Sequence, residues 1–307
     1  MRTLIVGTRG SPLALAQTGT VIDQLRELHP DVHCEIRRIT TKGDVMRDVP
    51  LATIGGRGVF ADAIEDALHA GEIDLAVHSA KDLPSTTTSG LAIAAFLERE
   101  DARDVLVSRS GGLLDLPTGA TVGTSSQRRA CQLLAARPDL EIRDLRGNVD
   151  TRLRRVEAGD YDAIVLAGAG LRRLGLTARV TEWISTESML PAPGQGALAI
   201  ETRADDQAVR SLVEPLNHGA TATALAAERG FLARLGAGCA AALAAYATVS
   251  GKEVHLQAMI GVPDGRLVRG DRLAPASEAA ELGAALADEL MSRGGRELFS
   301  AAARANP

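Results

Sequence analysis

Residues 123–129 read Gly-Thr-Ser-Ser-Gln-Arg-Arg, and an apolar helix pattern follows them. One of the two serines is a good N-cap for a helix that begins at Gln127, which places Arg128 and Arg129 in its first turn. A helix N-terminus carries about half a positive charge, so an arginine there costs roughly 0.3–1 kcal/mol. An anion bound at the free N–H groups of that turn would reverse the sign of this interaction.

A second stretch of this kind, Leu-Arg-Gly-Asn-Val-Asp-Thr-Arg, occupies residues 145–152. It supplies another helix cap, another glycine and two further arginines, Arg146 and Arg152. Two helix N-termini with arginines indicate a site for a ligand that carries several carboxylates or phosphates. A solvated basic face is the alternative, and these stretches alone do not decide between the two.

The composition is that of an ordinary soluble globular protein, with 45% apolar and 24% charged residues in a chain of 307, enough for two or three domains. Aromatic residues make up only 2%, which argues against base-stacking nucleic-acid binders and aromatic-lined sugar sites. The net charge of −5 makes the arginine cluster a local feature, so nucleic acid is not an expected partner.

Neither a membrane span nor a targeting segment is expected, because no apolar run could cross a bilayer and Met1 leads almost at once into the apolar residues 4–6. The three cysteines, Cys34, Cys131 and Cys239, have neither metal-ligand spacing nor an even disulfide framework. We therefore expect a reduced cytoplasmic protein without structural disulfides or a metal site.

The first third of the chain alternates between strand and helix patterns, which predicts a mainly parallel α/β sheet. Ligands of such sheets bind beyond the carboxyl ends of the strands, where Arg9, Lys81 and Asp82 lie. The glycine-rich residues 41–58 are predicted to form a mobile loop or lid. The predicted strands are 4–6, 32–40, 74–78 and 91–97, and the predicted helices are 12–28, after a Ser11 cap, and 60–69.

A second α/β series follows the charged residues 98–101, and residues 190–196 resemble a hinge in composition. From about Gly219 the pattern changes to α+β. The predicted strands of these parts are 105–108, 121–123, 141–145, 163–167, 197–201, 244–248, 254–260 and 266–270. Two predicted helices begin at residues 127 and 149, and a third lies near 206–216. A fourth ends at 235, and the last spans 277–290.

Two residues allow a functional interpretation beside a structural one. Asp82 is either a turn carboxylate paired with Lys81 or a carboxylate that stabilises a developing cation or moves protons. Cys239, in a glycine-containing loop, is either a usable nucleophile for a strong electrophile or a small filler among alanines. Nucleotide-loop spacings and a nucleophile elbow around His78 and Ser79 are absent, so neither a nucleotide enzyme nor a hydrolase is expected.

Six motifs, each weak alone, occur in order over nearly the whole chain. They are residues 7–14, 78–84, 123–129, 145–152, 190–196 and the pair 238–239. Together they resemble the porphobilinogen deaminase family, also called hydroxymethylbilane synthases. The resemblance implies two periplasmic-binding-protein-like α/β domains around a cleft, plus a smaller C-terminal α+β domain. It places domain 1 at 1–97 and 197–215, domain 2 at 102–190, and the cofactor-attachment domain at 219–307.

The resemblance also implies the activity. The family joins four porphobilinogen molecules head to tail with loss of ammonia and releases hydroxymethylbilane, in tetrapyrrole (heme) biosynthesis. The chain grows on a dipyrromethane cofactor, which the resemblance attaches through a thioether to Cys239. Asp82 takes the catalytic role, since a carboxylate near the pyrrole N–H groups stabilises the azafulvenium-like cation that remains when ammonia leaves. The resemblance implies no metal, no membrane and a monomer.

Each pyrrole carries two carboxylates, and the planar fork of arginine suits them. By motif match, the implied cofactor-binding residues are Cys239, Lys81, Asp82, Thr124, Ser126, Arg128, Arg129 and Arg146. The implied substrate-binding residues are Arg9, Ser11, Gln17, Arg152 and Arg173. The chain departs from the family after Cys239, where the alanine-rich run 240–245 stands in place of a more varied loop that usually contains a proline. It also departs in the lid, where Thr53 and Arg57 replace frequent lysines.

A non-catalytic polycarboxylate-binding protein or sensor is the rival hypothesis. Two α/β domains around a hinge, with arginines at helix ends, would suit it equally well. The missing export signal argues against an exported solute-binding protein, and no helix-turn-helix is evident for a regulator.

Overall fold

The computed structural model describes residues 2–45, 61–236 and 241–305. The chain divides into two compact units. The first comprises Met1–Glu100 with Ala197–Ala222, and the second comprises Asp101–Gly196 with Thr223–Pro307. Each unit contains a hydrophobic core of its own.

The sheet of the first unit has five strands: β1 (Arg2–Arg9), β2 (Val32–Ile39), β3 (Leu75–Ser79), β4 (Leu91–Phe96) and β10 (Leu198–Arg203). Their order is β2-β1-β3-β10-β4. β1 is parallel to β2 and β3, whereas β10 is antiparallel to β3 and β4, so four of the five strands share one direction. The sequence predicted this mainly parallel sheet, although β1 extends further than predicted and ends at Arg9.

The helices of the first unit are Pro12–Leu28, Lys42–Val45, Asp62–His69 and Gln207–Val213. Ser11 caps the first of them, as predicted: its side chain accepts a hydrogen bond from the Ala14 N–H at 3.2 Å, and Pro12 follows at the first helical position. Leu25 of this helix is fully buried in one core with Val6 of β1. The cap and the core together fix the turn between β1 and the helix.

The second unit contains a sheet of the same design. Its strands are β5 (Asp104–Ser108), β6 (Thr121–Gly123), β7 (Glu141–Arg143), β8 (Ala163–Ala167) and β9 (Glu182–Trp183), in the order β7-β6-β8-β5-β9. β5 is the strand that runs antiparallel to its neighbours. The helices packed with this sheet are Gln127–Ala136, Val149–Glu157 and Gly168–Arg173, the last of which was not predicted.

The C-terminal part of the second unit is α+β. Its antiparallel strands are β11 (Ala242–Ser250), β12 (Glu253–Gly261) and β13 (Leu267–Pro275), in that order. The helices are Gly219–Leu235, Ala279–Leu290 and Arg296–Ala305, and the last had not been predicted. Leu256, Leu286 and Phe231 are fully buried in a shared core. The predicted α/β fold class, with two α/β sheets and a smaller C-terminal α+β part, is confirmed.

Gly283→Ala is expected to destabilise the C-terminal part by about 1–3 kcal/mol, because a Cβ there would clash with the carbonyl oxygen of Ala227 and the backbone of Phe231 on the neighbouring helix. Urea unfolding followed by circular dichroism measures the change. The matched control is Gly19→Ala, since Gly19 also lies in a helix but has open space around its Cβ position, and the change there should stabilise by up to about 1 kcal/mol. Equal midpoints for Gly283→Ala and wild type would refute the close packing.

Candidate functional site

A cavity in the first unit brings together four of the predicted site residues. Arg9, Ser11, Gln17 and Asp82 line it, together with Ser79. They come from the end of β1, the start of the first helix and the turn after β3. The cavity therefore lies at the carboxyl ends of parallel strands, where the sequence predicted a ligand site.

Asp82 lies on a 3₁₀ turn, Ala80–Asp82, that is anchored on both sides. The Ala80 N–H donates to the Ala197 carbonyl at 3.0 Å, and the Leu83 N–H donates to the Ala80 carbonyl at 3.3 Å. Ala80 and Leu83 are buried, whereas Asp82 and its neighbour Lys81 are exposed. A fixed backbone thus presents the Asp82 carboxylate at the cavity wall.

Arg9 makes a bidentate ion pair with Asp44, a residue that the sequence analysis did not select as a site residue. Arg9 Nη2 lies 2.6 Å from Asp44 Oδ1, and Arg9 Nε donates to Oδ2 at 3.2 Å. Burial alone would raise the pKa of Asp44, but hydrogen bonds from Arg9 and Thr41 lower it overall. A substrate carboxylate that binds this edge of Arg9 must therefore displace the Asp44 carboxylate.

His78 and Ser79 bond to different partners. Gln17 Nε2 donates to Ser79 Oγ at 2.8 Å, while His78 Nε2 lies 3.2 Å from Glu201 Oε2, with both of these last side chains buried. Consecutive strand residues point to opposite faces of a sheet. The two residues therefore do not form a serine–histidine pair with each other.

The predicted helix cap in the second unit is present. Ser126 is the N-cap of the helix that begins at Gln127, and its side chain accepts from the Arg129 N–H at 3.4 Å. Thr124 Oγ1 accepts from the Ser126 N–H at 3.1 Å. Ser125, the other serine that could have capped the helix, donates to a loop carbonyl instead.

Arg128 and Arg129 share a buried carboxylate, Asp104. Arg128 Nη1 lies 2.6 Å from Asp104 Oδ2, and Arg129 Nη2 lies 2.7 Å from Oδ1. Burial by itself would raise the pKa of Asp104, but the two arginines outweigh it and hold the pKa well below its ordinary value. Two cations on one anion leave one net positive charge in a buried place, which favours a further anion.

Arg152 and Arg146 add to this positive charge. Burial, together with the charges of Arg129 and Arg146, lowers the pKa of Arg152 to about 10, against the opposing charge of Asp144. Arg152 remains protonated at neutral pH, and its Nε donates to the Gly147 carbonyl at 2.8 Å. A carboxylate ligand would relieve the mutual repulsion of these arginines.

Arg173, the last predicted arginine, ends the helix Gly168–Arg173 and donates from Nη2 to the Gly196 carbonyl at 2.6 Å. The second unit thus contains the predicted residues Thr124, Ser126, Arg128, Arg129, Arg146, Arg152 and Arg173.

Two predicted features, Cys239 and the greater part of the loop 41–58, lie outside the described residues. Cys34 and Cys131 are buried free thiols. In the described ranges, no group of histidine, cysteine or acidic residues is arranged to hold a metal ion. A separate search of the same ranges finds no helix with the length and apolar character needed to span a bilayer.

Two family models match most of the chain. Residues 4–211 match "Porphobilinogen deaminase, dipyromethane cofactor binding domain", and residues 222–292 match "Porphobilinogen deaminase, C-terminal domain". The chain belongs to the porphobilinogen deaminase family. The resemblance inferred from the six motifs is therefore confirmed.

Curated porphobilinogen deaminases are similar over nearly the full length. The one from Roseiflexus sp. (strain RS-1) is 53% identical over 300 residues, covering 97% of this chain and 99% of the relative. The one from Roseiflexus castenholzii (strain DSM 13941 / HLO8) is 52% identical, covering 97% and 98%. Among solved structures, a periplasmic binding protein of Salmonella typhimurium with high arginine specificity is 13% identical. The match covers 72% of this chain and 94% of that protein's chain, with a TM-score of 0.40.

Porphobilinogen deaminase activity, a transferase reaction of tetrapyrrole biosynthesis, is therefore the function of this chain, and a non-catalytic binding protein is not favoured. Porphobilinogen is the substrate of the deaminase, and the first family model identifies dipyrromethane as its cofactor. The family is thus established, while the role of each residue is a separate question.

Proposed function

We propose that Asp82 is the catalytic residue of this deaminase and that its arginines bind the carboxylates of the pyrrole chain. The observation that carries the proposal is the exposed Asp82 carboxylate on an anchored turn, in a cavity that Arg9, Ser11 and Gln17 also line. Those three residues are proposed to bind the substrate, together with Arg152 and Arg173.

The second unit supplies donors suited to the cofactor's carboxylates. In the described part of the chain, Arg128 bonds through Nη1 alone, to Asp104 and to the Leu190 carbonyl, which leaves its Nε and Nη2 edge for a bidentate carboxylate. This unused edge and the lowered pKa of Arg152 support the fit of a polycarboxylate. The residues proposed to hold dipyrromethane are Cys239, Lys81, Asp82, Thr124, Ser126, Arg128, Arg129 and Arg146.

We propose attachment through a thioether to Cys239. When bound, dipyrromethane supplies the pyrrole α-carbon on which the chain is built. Thiolate, and not thiol, is the reactive form of cysteine, with an ordinary pKa near 8.5.

Asp82 assists the substrate's loss of ammonia. As the aminomethyl C–N bond of porphobilinogen breaks, its electron pair leaves with ammonia and the pyrrole nitrogen stabilises the cation that remains. A carboxylate about 4 Å away stabilises that cation by about 4 kcal/mol at an effective dielectric constant of 20. Asp82 can also accept the α-proton that carbon–carbon bond formation would release and pass it to ammonia or to water, so that the carboxylate is restored.

The proposal also covers the domain boundaries, the cellular location and the oligomeric state. β10 belongs to the sheet of the first unit, which supports a domain 1 made of residues 1–97 and 197–215. Domain 2 at 102–190 and the cofactor-attachment domain at 219–307 complete the division. We also propose a cytoplasmic monomer, in keeping with the family resemblance. Light scattering of the purified chain tests the monomer.

A colour test with an aldehyde reagent for α-free pyrroles examines the central proposal. The purified chain should react without added substrate, and it should then consume porphobilinogen with release of ammonia. The control is the same chain after unfolding and dialysis. A covalently attached pyrrole stays on the chain in this treatment, whereas a pyrrole bound without a covalent bond is removed. No colour and no consumption would overturn the proposal and favour a binding protein.

A further inference from the structure

We propose that Asp104 is a positioning residue for Arg128 and Arg129, and that Gln195 fixes Asp104 in this role. The inference rests on the proposed function, in which the two arginines bind pyrrole carboxylates. Neither Asp104 nor Gln195 belongs to the site residues implied by the resemblance. Each acts through the arginines and not on the reacting atoms.

Asp104 accepts hydrogen bonds from four N–H groups of three side chains. A carboxylate offers about four lone-pair sites. Oδ1 accepts from Arg129 Nε at 3.0 Å, Arg129 Nη2 at 2.7 Å and Gln195 Nε2 at 3.0 Å, and Oδ2 accepts from Arg128 Nη1 at 2.6 Å. The carboxylate is fully buried, so water does not compete for these sites. Four donors from three side chains hold the carboxylate, and with it both guanidinium planes, in one orientation.

Backbone carbonyls complete the support. Arg128 Nη1 also donates to Leu190 at 2.8 Å, and Arg129 Nη1 donates to Val165 at 2.9 Å. An arginine has five N–H donors. Arg128 therefore uses two of them and Arg129 three within the described residues. These hydrogen bonds orient both guanidinium groups without using all of their N–H donors.

The negative charge of Asp104 offsets the burial and mutual repulsion of the two arginine charges. Burial lowers the pKa of Arg129, and the Arg128 charge lowers it further, while Asp104 opposes both. One carboxylate between two guanidiniums permits both to stay protonated and still leaves one net positive charge. A ligand carboxylate then meets cations that are already in place, so less ordering is required when it binds.

Gln195 ties this group to the hinge-like segment 190–196. Its Nε2 donates to the Ala102 carbonyl at 2.7 Å as well as to Asp104. The same segment is held at Gly194, whose N–H donates to the buried carboxylate of Glu228 at 2.6 Å. This segment, which the sequence indicated as hinge-like and as one of the six motifs, thus also helps to hold the two arginines.

The test compares Asp104→Glu, Gln195→Ala and Asp104→Asn in the full chain. Asp104→Glu keeps the charge but moves the carboxylate by one methylene, and a displacement of about 1 Å can cost about 100-fold in kcat/KM. Gln195→Ala removes one hydrogen bond to a charged group, for which about a tenfold loss is expected. Both should raise KM more than they lower kcat and reduce the fraction of protein that carries dipyrromethane, read by intact mass. Asp139→Asn is the matched control, because Asp139 also makes a bidentate pair, with Arg137, in the same unit.

Thermal unfolding separates positioning from simple stabilisation. If Asp104→Asn fails to fold, the milder variants Asp104→Glu and Gln195→Ala test the positioning role. Folded Asp104→Glu and Gln195→Ala with wild-type loading and wild-type KM would overturn the inference, as would a change in melting temperature alone. A wild-type chain without the added mass and without turnover would instead refute the proposed function, so the two failures are distinguishable.

Discussion

Asp82→Asn is expected to lower porphobilinogen turnover about a thousandfold or more while leaving the fold intact. Asparagine keeps the shape of the side chain and loses its charge. That charge is worth about 4 kcal/mol to a cation 4 Å away, and each 1.36 kcal/mol corresponds to about a factor of ten in rate. Asp82 is exposed, and surface substitutions usually change the free energy of unfolding by less than about 0.5 kcal/mol.

Porphobilinogen consumption and ammonia release measure the loss, and thermal unfolding measures the fold. Asp31→Asn is the matched control, since Asp31 is an exposed acid in a loop of the same unit and lies in no proposed role. Asp82→Ala should behave like Asp82→Asn, because the lost charge and not the lost volume is responsible. Near-normal turnover in either Asp82 variant would remove this residue from the mechanism.

Elements with local signals were predictable from the sequence. The helix Pro12–Leu28 was located at both ends because its Ser11 cap and its apolar spacing are local properties. The sequence narrowed the cap of the helix at Gln127 to two serines, and the structure identifies Ser126. The helices Gly168–Arg173 and Arg296–Ala305 escaped prediction, since the first carries two glycines and the second has no side-chain cap signal in the sequence.

The partners of the site residues were not predictable in this way. Asp104 and Arg128 are 24 residues apart, and Asp104 and Gln195 are 91 apart. Asp44 likewise reaches Arg9 from 35 residues away. Such pairs are set by sheet order and not by spacing, so a single sequence contains no signal for them. The motifs selected these arginines as candidates, and the fold determines which carboxylates hold them.

The arginines at the start of the helix Gln127–Ala136 were identified because a cation at a helix N-terminus is electrostatically unfavourable. An anion was expected there, and Asp104 supplies one from within the chain. One carboxylate does not balance Arg128, Arg129 and the nearby Arg152, whose pKa is lowered to about 10. The expectation of an external anion therefore stays a prediction, supported by the excess of cations.

Cys239→Ala is expected to abolish both the dipyrromethane-sized addition in the intact mass and all turnover, because a thioether needs the Cys239 sulfur and the chain grows on the group that it holds. The other cysteines are poor alternatives. Burial raises the pKa of Cys131 to about 11, so about one molecule in ten thousand is thiolate at neutral pH. Burial also raises the pKa of Cys34, against the opposing effect of Arg26.

Cys34→Ala is therefore the matched control, since it removes a thiol of the same chain and should retain both the added mass and the turnover. The aldehyde colour should follow the mass, present in Cys34→Ala and absent in Cys239→Ala. Cys239→Ser distinguishes tethering from packing, because serine keeps nearly the same volume but provides no sulfur nucleophile. An active chain that carries no addition, or an addition that persists in Cys239→Ala, would show that the pyrrole chain is not anchored at this residue.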